Sequence, residues 1–264
     1  MHIRTTIVAA VASLCFTGTG LAQTVADFFP EQKLTASDGA ADDYFGLSVA
    51  IDGDTALVGA RAADFNGVDT GSAYIYQRQA DGSWSEIQKL TASDGAPNDY
   101  FGLSVAIDGD TALVSAPYKN FQSGTAFGRV YIYQRQADGS WSETAHLLAS
   151  DGASGDYFGI SVAIDGDTAL VGAPYDDDNG TASGSAYLYQ RQTDGSWSET
   201  AKLTDSDGAA SDYFGIQVAI AGDTALVGAY GDNDDNGLES GSAYLYQRQA
   251  DGSWSETAKL TASD

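Results

Sequence analysis

The sequence predicts an all-β fold, a β-propeller of four-stranded antiparallel blades, and three observations point to it. The string Asp-Tyr-Phe-Gly occurs four times, beginning at Asp43, Asp99, Asp156 and Asp212, with its phenylalanines 56, 57 and 56 residues apart. The tryptophans Trp84, Trp141, Trp197 and Trp254 keep the same beat. Each copy divides into four short apolar segments punctuated by Asp-Gly turns. A four-strand unit repeated at a period above fifty residues is the mark of a propeller blade.

In the first copy, Tyr44 to Asp52 alternates, with Phe45, Leu47, Val49 and Ile51 on one face and Gly46, Ser48 and Ala50 on the other. A sheet with one face in water would carry polar residues there. A bulky face backed by a slim one suits blades stacked large side on small side. Asp52-Gly53 signals a tight hairpin, and Thr55 to Ala60 reads as the second strand. After a loop of about ten residues, Ser72 to Gln79 reads as the third strand. Asp81-Gly82 signals a second hairpin, and Ser83 to Ala92 reads as the fourth strand. A two-residue turn there would set Gln79 opposite Trp84 and Arg78 opposite Ser85. The repeats fall at about 39–94, 95–151, 152–207 and 208–264, with about four blades present.

Residues 31–37 match the tail of a fourth strand and are expected to add one N-terminal strand. Every unit already has its own fourth strand, so one is surplus. The chain then reads either as a fragment of a larger ring or as an incomplete ring whose open blade ends self-associate. Residues 1–22 read as a secretory signal, with Arg4 before the apolar Ile7–Phe16 and small residues at Gly20 and Ala22. The propeller would then occupy 23–264 of an exported protein, at the cell surface, in the periplasm or outside the cell. The single cysteine, Cys15, lies inside that signal, so the mature chain would have no disulfide. No apolar run has membrane-spanning length. With 12 Lys+Arg against 37 Asp+Glu, the net charge of -25 argues against nucleic acid and anionic membranes.

Phe45-Gly46, then Val58-Gly59-Ala60, then Gly71-Ser72-Ala73-Tyr74 resemble the FG-GAP repeats of integrin-alpha-like propellers. The third copy has the fuller Gly172-Ala173-Pro174, and the second has Ser115-Ala116-Pro117. The resemblance implies a propeller and an adhesive or binding role. It does not carry over the calcium cage that such repeats often hold between those two segments. Only Asp52-Gly53-Asp54 stands there, and the fourth copy has Ala221-Gly222-Asp223. Two carboxylates cannot wrap an ion that takes about six to eight oxygens.

The loops joining second and third strands, Arg61–Thr70, Pro117–Phe127, Pro174–Ser183 and Tyr230–Ser240, differ while the strands hardly do. Specificity on a rigid scaffold resides in such loops, though exposed loops also drift. The fourth contains Asp232-x-Asp234-x-Asn236-Gly237, the oxygen spacing of the first half of a calcium loop, with Leu238 and Glu239 as further oxygen donors. The third keeps Asp177, Asn179 and Gly180. An Asn-Gly turn without metal is the alternative for both. The Ser-Asp-Gly segment before each Phe-Gly reads as a blade-to-blade turn.

No catalytic set is expected. His146 stands where other copies have Lys89, Lys202 and Lys259, which suggests an exposed position. Glu86, Glu143, Glu199 and Glu256 read as solvated edge-strand charges, and the Tyr and Trp stripes as packing. The function expected is a non-catalytic binding or adhesion scaffold for a protein or glycan ligand, stiffened by Ca2+. The alternatives are an extracellular polysaccharide hydrolase or lyase, and a purely structural repeat protein.

Overall fold

The structure is a computed structural model that describes residues 31–65, 67–119, 127–233, 237 and 240–262. The signal-peptide reading of residues 1–22 lies outside the described residues. The strands of the first blade are β1 (Phe45–Asp52), β2 (Thr55–Ala60), β3 (Ser72–Arg78) and β4 (Trp84–Leu90). The second has β5 (Val105–Asp108), β6 (Thr111–Ala116), β7 (Arg129–Arg135) and β8 (Trp141–Leu147). The third has β9 (Val162–Asp165), β10 (Thr168–Ala173), β11 (Ser185–Arg191) and β12 (Trp197–Leu203). The fourth has β13 (Gln217–Ala221), β14 (Thr224–Ala229), β15 (Ser242–Arg248) and β16 (Trp254–Thr261). Each group forms its own four-stranded antiparallel meander, and no sheet closes on itself. No helix among the described residues is long and apolar enough to cross a membrane.

The first hairpin is as tight as expected, but its two loop residues are Gly53 and Asp54, with Asp52 opposite Thr55. The β3–β4 register differs from expectation by one residue: Arg78 faces Trp84 and Gln77 faces Ser85. The turn has three residues. The Gln79 amide donates to the Ser83 carbonyl, Gly82 sits at φ 86°, and Asp81 Oδ1 accepts from both the amide and the hydroxyl of Ser83. A left-handed glycine closing a three-residue hairpin explains the extra residue. One further residue, Ile87, bulges out between Glu86 and Gln88, and every blade repeats that bulge.

Blades stack bulky face on slim face. Leu57, Ala73, Ile75 and Leu90 of the first blade pack on Phe101, Val105, Ile107, Tyr131 and Tyr133 of the second. The next two junctions repeat this. Phe101, Phe158 and Phe214 are fully buried, each edge-on to two tyrosines of its own blade. Such pairs add about 0.5–1.5 kcal/mol beyond their buried area.

The repeated glycines are where neighbouring backbones touch. Gly71 bridges Phe101 of the next blade, and a Cβ there would lie 2.0 Å from the Phe101 carbonyl oxygen. A Cβ on Gly59 would meet the Gly102 oxygen at the same distance. Inner strands are also laced together. Ser48 Oγ accepts from the Val105 amide and Asp52 from the Gly109 amide, and the next two junctions do likewise.

The arc is open. On the first blade Val49 and Ile51 are 67% and 65% exposed, where in the second their counterparts Val105 and Ile107 are buried. The expected extra strand at 31–37 does not form: residues 31–36 carry no strand pairing. Leu34 and Ala36 lie against the face of the first blade, beside Phe45 and Trp84, and do not extend an edge.

Candidate functional site

The four glutamates are not solvated charges. Glu86 takes the Ser37 amide at 2.8 Å and the Ser37 hydroxyl at 2.7 Å, one on each carboxylate oxygen. Glu143 holds Ser93, Glu199 holds Ser150 and Glu256 holds Ser206 in the same way. The outer strand of each blade thereby clasps the segment leading into it. That gives the glutamates a place in the architecture.

The aspartate after each clasping serine enters an acid pocket. In the first blade Asp38 accepts from the Tyr74 hydroxyl at 2.8 Å and from Lys89 Nζ at 2.6 Å. The hydrogen bond from Lys89 and then that from Tyr74 hold its carboxyl below the usual range. The Asp-Tyr-Phe-Gly aspartate forms the inner wall: Asp43 Oδ2 caps the Ala40 amide at 2.7 Å, and the other three copies do the same. The expected turn role of Ser-Asp-Gly is therefore joined to an electrostatic one.

The lysines are pocket cations, so His146 breaks a network. His146 is exposed, as expected. Its blade supplies the missing charge elsewhere: Lys119 reaches Asp99 at 2.8 Å and Arg129 reaches Asp94 at 2.5 Å. In the third blade Lys202 Nζ is ringed by Asp178 (2.5 Å), Asp151 (2.7 Å) and Asp176 (3.1 Å). Those three carboxylates converge closely enough to hold a metal ion, but an ammonium stands among them. Burial pulls the lysine down, yet the three aspartates raise it well above an ordinary lysine.

The sequence-predicted calcium residues divide. Asp177 and Asn179 lie on the exposed β10–β11 loop, outside that cluster. Asp177 Oδ1 accepts the Ala182 amide at 2.7 Å, and the Asn179 amide donates to Ser183 Oγ. Asp232 is buried and takes Lys259 Nζ at 2.6 Å and the Tyr244 hydroxyl at 3.0 Å. Asp234, Asn236, Leu238 and Glu239 lie outside the described residues. The fourth pocket also holds Asp205, where other copies have Ala36, Ala92 and Ala149. Burial, then the charges of Asp212 and Asp207, push the Asp205 carboxyl up to about 7.

A second feature runs across all four blades at the end where β1-type strands begin and β2-type strands finish. Tyr100 meets Tyr118 at 5.1 Å between ring centroids, and Tyr118 meets Tyr157 at 4.8 Å. Tyr157 meets Tyr175, Tyr175 meets Tyr213, and Tyr213 stacks parallel on Tyr230 at 5.0 Å. At the other end the Arg61 guanidinium lies over both Tyr44 (4.7 Å) and Tyr100 (5.1 Å). The Asp-Tyr-Phe-Gly tyrosines stand at φ 53–56°, a left-handed turn that sends Phe into the core and Tyr to this edge. Tyr44, Tyr175 and Tyr230 are the most exposed rungs. The variable loops spring from this edge. The tyrosines expected as packing form a surface ladder instead; the signal in the sequence is the recurrence of Tyr118, Tyr175 and Tyr230 just after the Gly-Ala (Ser-Ala in the second copy) positions.

The architecture and this edge define a class: an open, repeat-built propeller with a laterally continuous loop face. The FG-GAP repeat model matches residues 28–76, 84–133, 141–189 and 197–246, and the chain belongs to that family. It is similar to integrin alpha-6 of Gallus gallus, 27% identical over 68% of this chain and 17% of the relative. Integrin alpha-3 of Mus musculus is 30% identical over 47% of this chain and 12% of the relative. The chain thus spans a small part of the length of these relatives. A solved protein from Lactobacillus plantarum shares the fold with a TM-score of 0.53 at 16% identity, covering 82% of this chain and 55% of that one.

Proposed function

We propose that this chain is an exported, non-catalytic adhesion or binding scaffold that takes a protein or glycan ligand on the tyrosine edge and its loops. The observation that carries this is the ladder itself: seven tyrosines and Arg61 join four blades into one aromatic strip. That strip borders the segments in which the copies differ. Tyrosines give large, rigid contact area at low entropic cost. The similarity to integrin alpha chains supports an adhesive role. Export rests on the leader at residues 1–22, and a mature N-terminus at Gln23 would support it. Calcium belongs to the same reading, with Asp232, Asp234, Asn236, Leu238 and Glu239 as oxygen donors and Asp177 and Asn179 in the third loop.

The test is capture of ligands from a glycan array and from extracellular protein extracts. Wild type is compared with Tyr175→Ala/Tyr230→Ala and with a chain whose four loops are exchanged. Replacing two exposed anchors is expected to weaken binding at least tenfold. Undiminished capture by both variants would remove the edge as the ligand site.

A further inference from the structure

The junction between the third and fourth blades buries unpartnered carboxylate oxygens, which the corresponding described positions of the other junctions do not. Ala36 and Ala92 place a methyl group against the neighbouring blade's core. The fourth copy puts Asp205 at this position, and it is only 3% exposed. Neither of its carboxylate oxygens has a hydrogen-bond partner. Asp212 is 1% exposed; its Oδ2 accepts the Ala209 amide, and its Oδ1 is also without a partner. The pocket's cation, Lys259, is engaged by Asp207 at 2.7 Å and Asp232 at 2.6 Å. The charges of Asp212, Asp207 and Asp232 all act on Asp205, so two buried carboxylates with free oxygens lie beside a neutralised pair.

A third segment reaches these carboxylates. A Cβ built on Gly208 would fall 1.9 Å from Asp205 Oδ1 and 3.2 Å from Asn179 Nδ2. The Asn179 amide end, carried by the β10–β11 loop, is thus close to Asp205 across the glycine. Amide oxygen and nitrogen are interchangeable by a flip, so Asn179 can present a neutral oxygen here. An unpaired buried carboxylate is costly unless it is neutralised. The chemistry that satisfies two carboxylates and an amide oxygen together is a hard divalent cation, completed by water and carbonyls.

We propose that Asp205, Asp212 and Asn179 form a divalent-cation site of the Ca2+ class, locking the third blade's loop to the fourth blade. The site does not depend on the ligand-binding reading; it takes Asn179 from the third-loop calcium reading and is separate from the spacing of Asp234, Asn236 and Glu239. A cation here stiffens the junction where the ladder's stacked rungs Tyr213 and Tyr230 stand.

The experiment is thermal melting and calorimetric titration of the full chain after chelation, with CaCl2 and then MgCl2 added. Wild type is expected to rise by roughly 5–10 °C in Ca2+ at a hundredfold excess over its dissociation constant. Asp205→Ala restores the residue of the other copies and should fold. It is expected to melt higher than wild type without metal and to lose the Ca2+ shift. Asp205→Asn is expected to weaken Ca2+ at least tenfold, and Asp234→Asn to leave the shift in place. An unchanged Ca2+ response in Asp205→Ala, its loss in Asp234→Asn alone, or no response in wild type would each overturn the site. Ligand capture by Asp205→Ala is read separately, so loss of the cation and loss of the binding face are distinguishable.

Discussion

The second and fourth blades hold the same Asp–Tyr pair on the same backbone, and their acid pockets differ in charge. In the second, Asp94 and Asp99 are answered by Lys119 and Arg129. In the fourth, Asp205, Asp207, Asp212 and Asp232 crowd one another, and Lys259 bridges only Asp207 and Asp232. The third strand supplies the tyrosine and the turn before each blade the leading aspartate, identically in both; loop residues such as Lys119 and Asp232, with Arg129 at the start of β7, set the balance. A repeat protein can thus keep one architecture and set each junction's electrostatics separately, by changing a loop and one alanine.

The largest expected effect comes from removing the balance in the second blade. The side chains of Lys119 and Asp99 are 5% and 2% exposed, so Lys119→Met leaves a buried carboxylate unpaired. Breaking such a pair is expected to lower stability by about 3–5 kcal/mol, and the melting temperature by on the order of 10 °C. A shift under about 2 °C would show that Arg129 alone neutralises the pocket. The opposite sign is expected in the fourth blade. In chelated buffer Asp205→Ala removes a buried unsatisfied group and should stabilise by about 1–3 kcal/mol, read by urea denaturation. Equal and negative effects at the two sites would erase the contrast between the blades.

How much of this was legible follows the reach of each signal. Period, strand alternation and the bulky-on-slim packing are properties of neighbouring residues, and Phe45 to Ile51 displayed them directly. The Glu86 clasp was not legible, because Ser37 lies 49 residues away and meets it only after two segments fold. Asp81-Gly82 announces a hairpin, but a three-residue turn and a two-residue turn carry the same letters, so the letters alone do not fix the partner of Gln79. The calcium spacing at Asp232 was visible, whereas its engagement by Lys259, from the outer strand, was not. Asp205 was visible as a departure from Ala92 and Ala149, and its meaning depended on burial.

The clasps supply a control that should not distinguish the blades. Glu143 and Glu256 each hold one serine through two hydrogen bonds, at 2.8–2.9 Å and 3.0–3.1 Å. Glu143→Ala and Glu256→Ala are each expected to lose about 1 kcal/mol, measured by the same denaturation. A much larger loss in the fourth blade would mean that its clasp also restrains the crowded carboxylates, and the pockets would no longer be separable from the scaffold.

The smallest effect is a pH dependence that places the third blade on the fourth blade's side of the comparison. Asp156 occupies the position of Asp99, but Lys202 sits among three other aspartates. Burial, then the neighbouring charges of Asp176 and Asp177, push the Asp156 carboxyl up to about 6 from 3.8. Between those two values the native state binds more protons than the unfolded chain, so this group's contribution to stability falls as pH rises from about 4 to about 6. Asp156→Asn is expected to match wild type near pH 4 and to melt about 1–3 °C higher above pH 6.5. Asp99→Asn, which removes the nearer of Lys119's two carboxylate partners, at 2.8 Å, should instead melt lower at neutral pH. Melting curves of both variants at half-unit pH steps decide it, and the same sign for the two would mean that loop-borne cations do not set the character of these pockets.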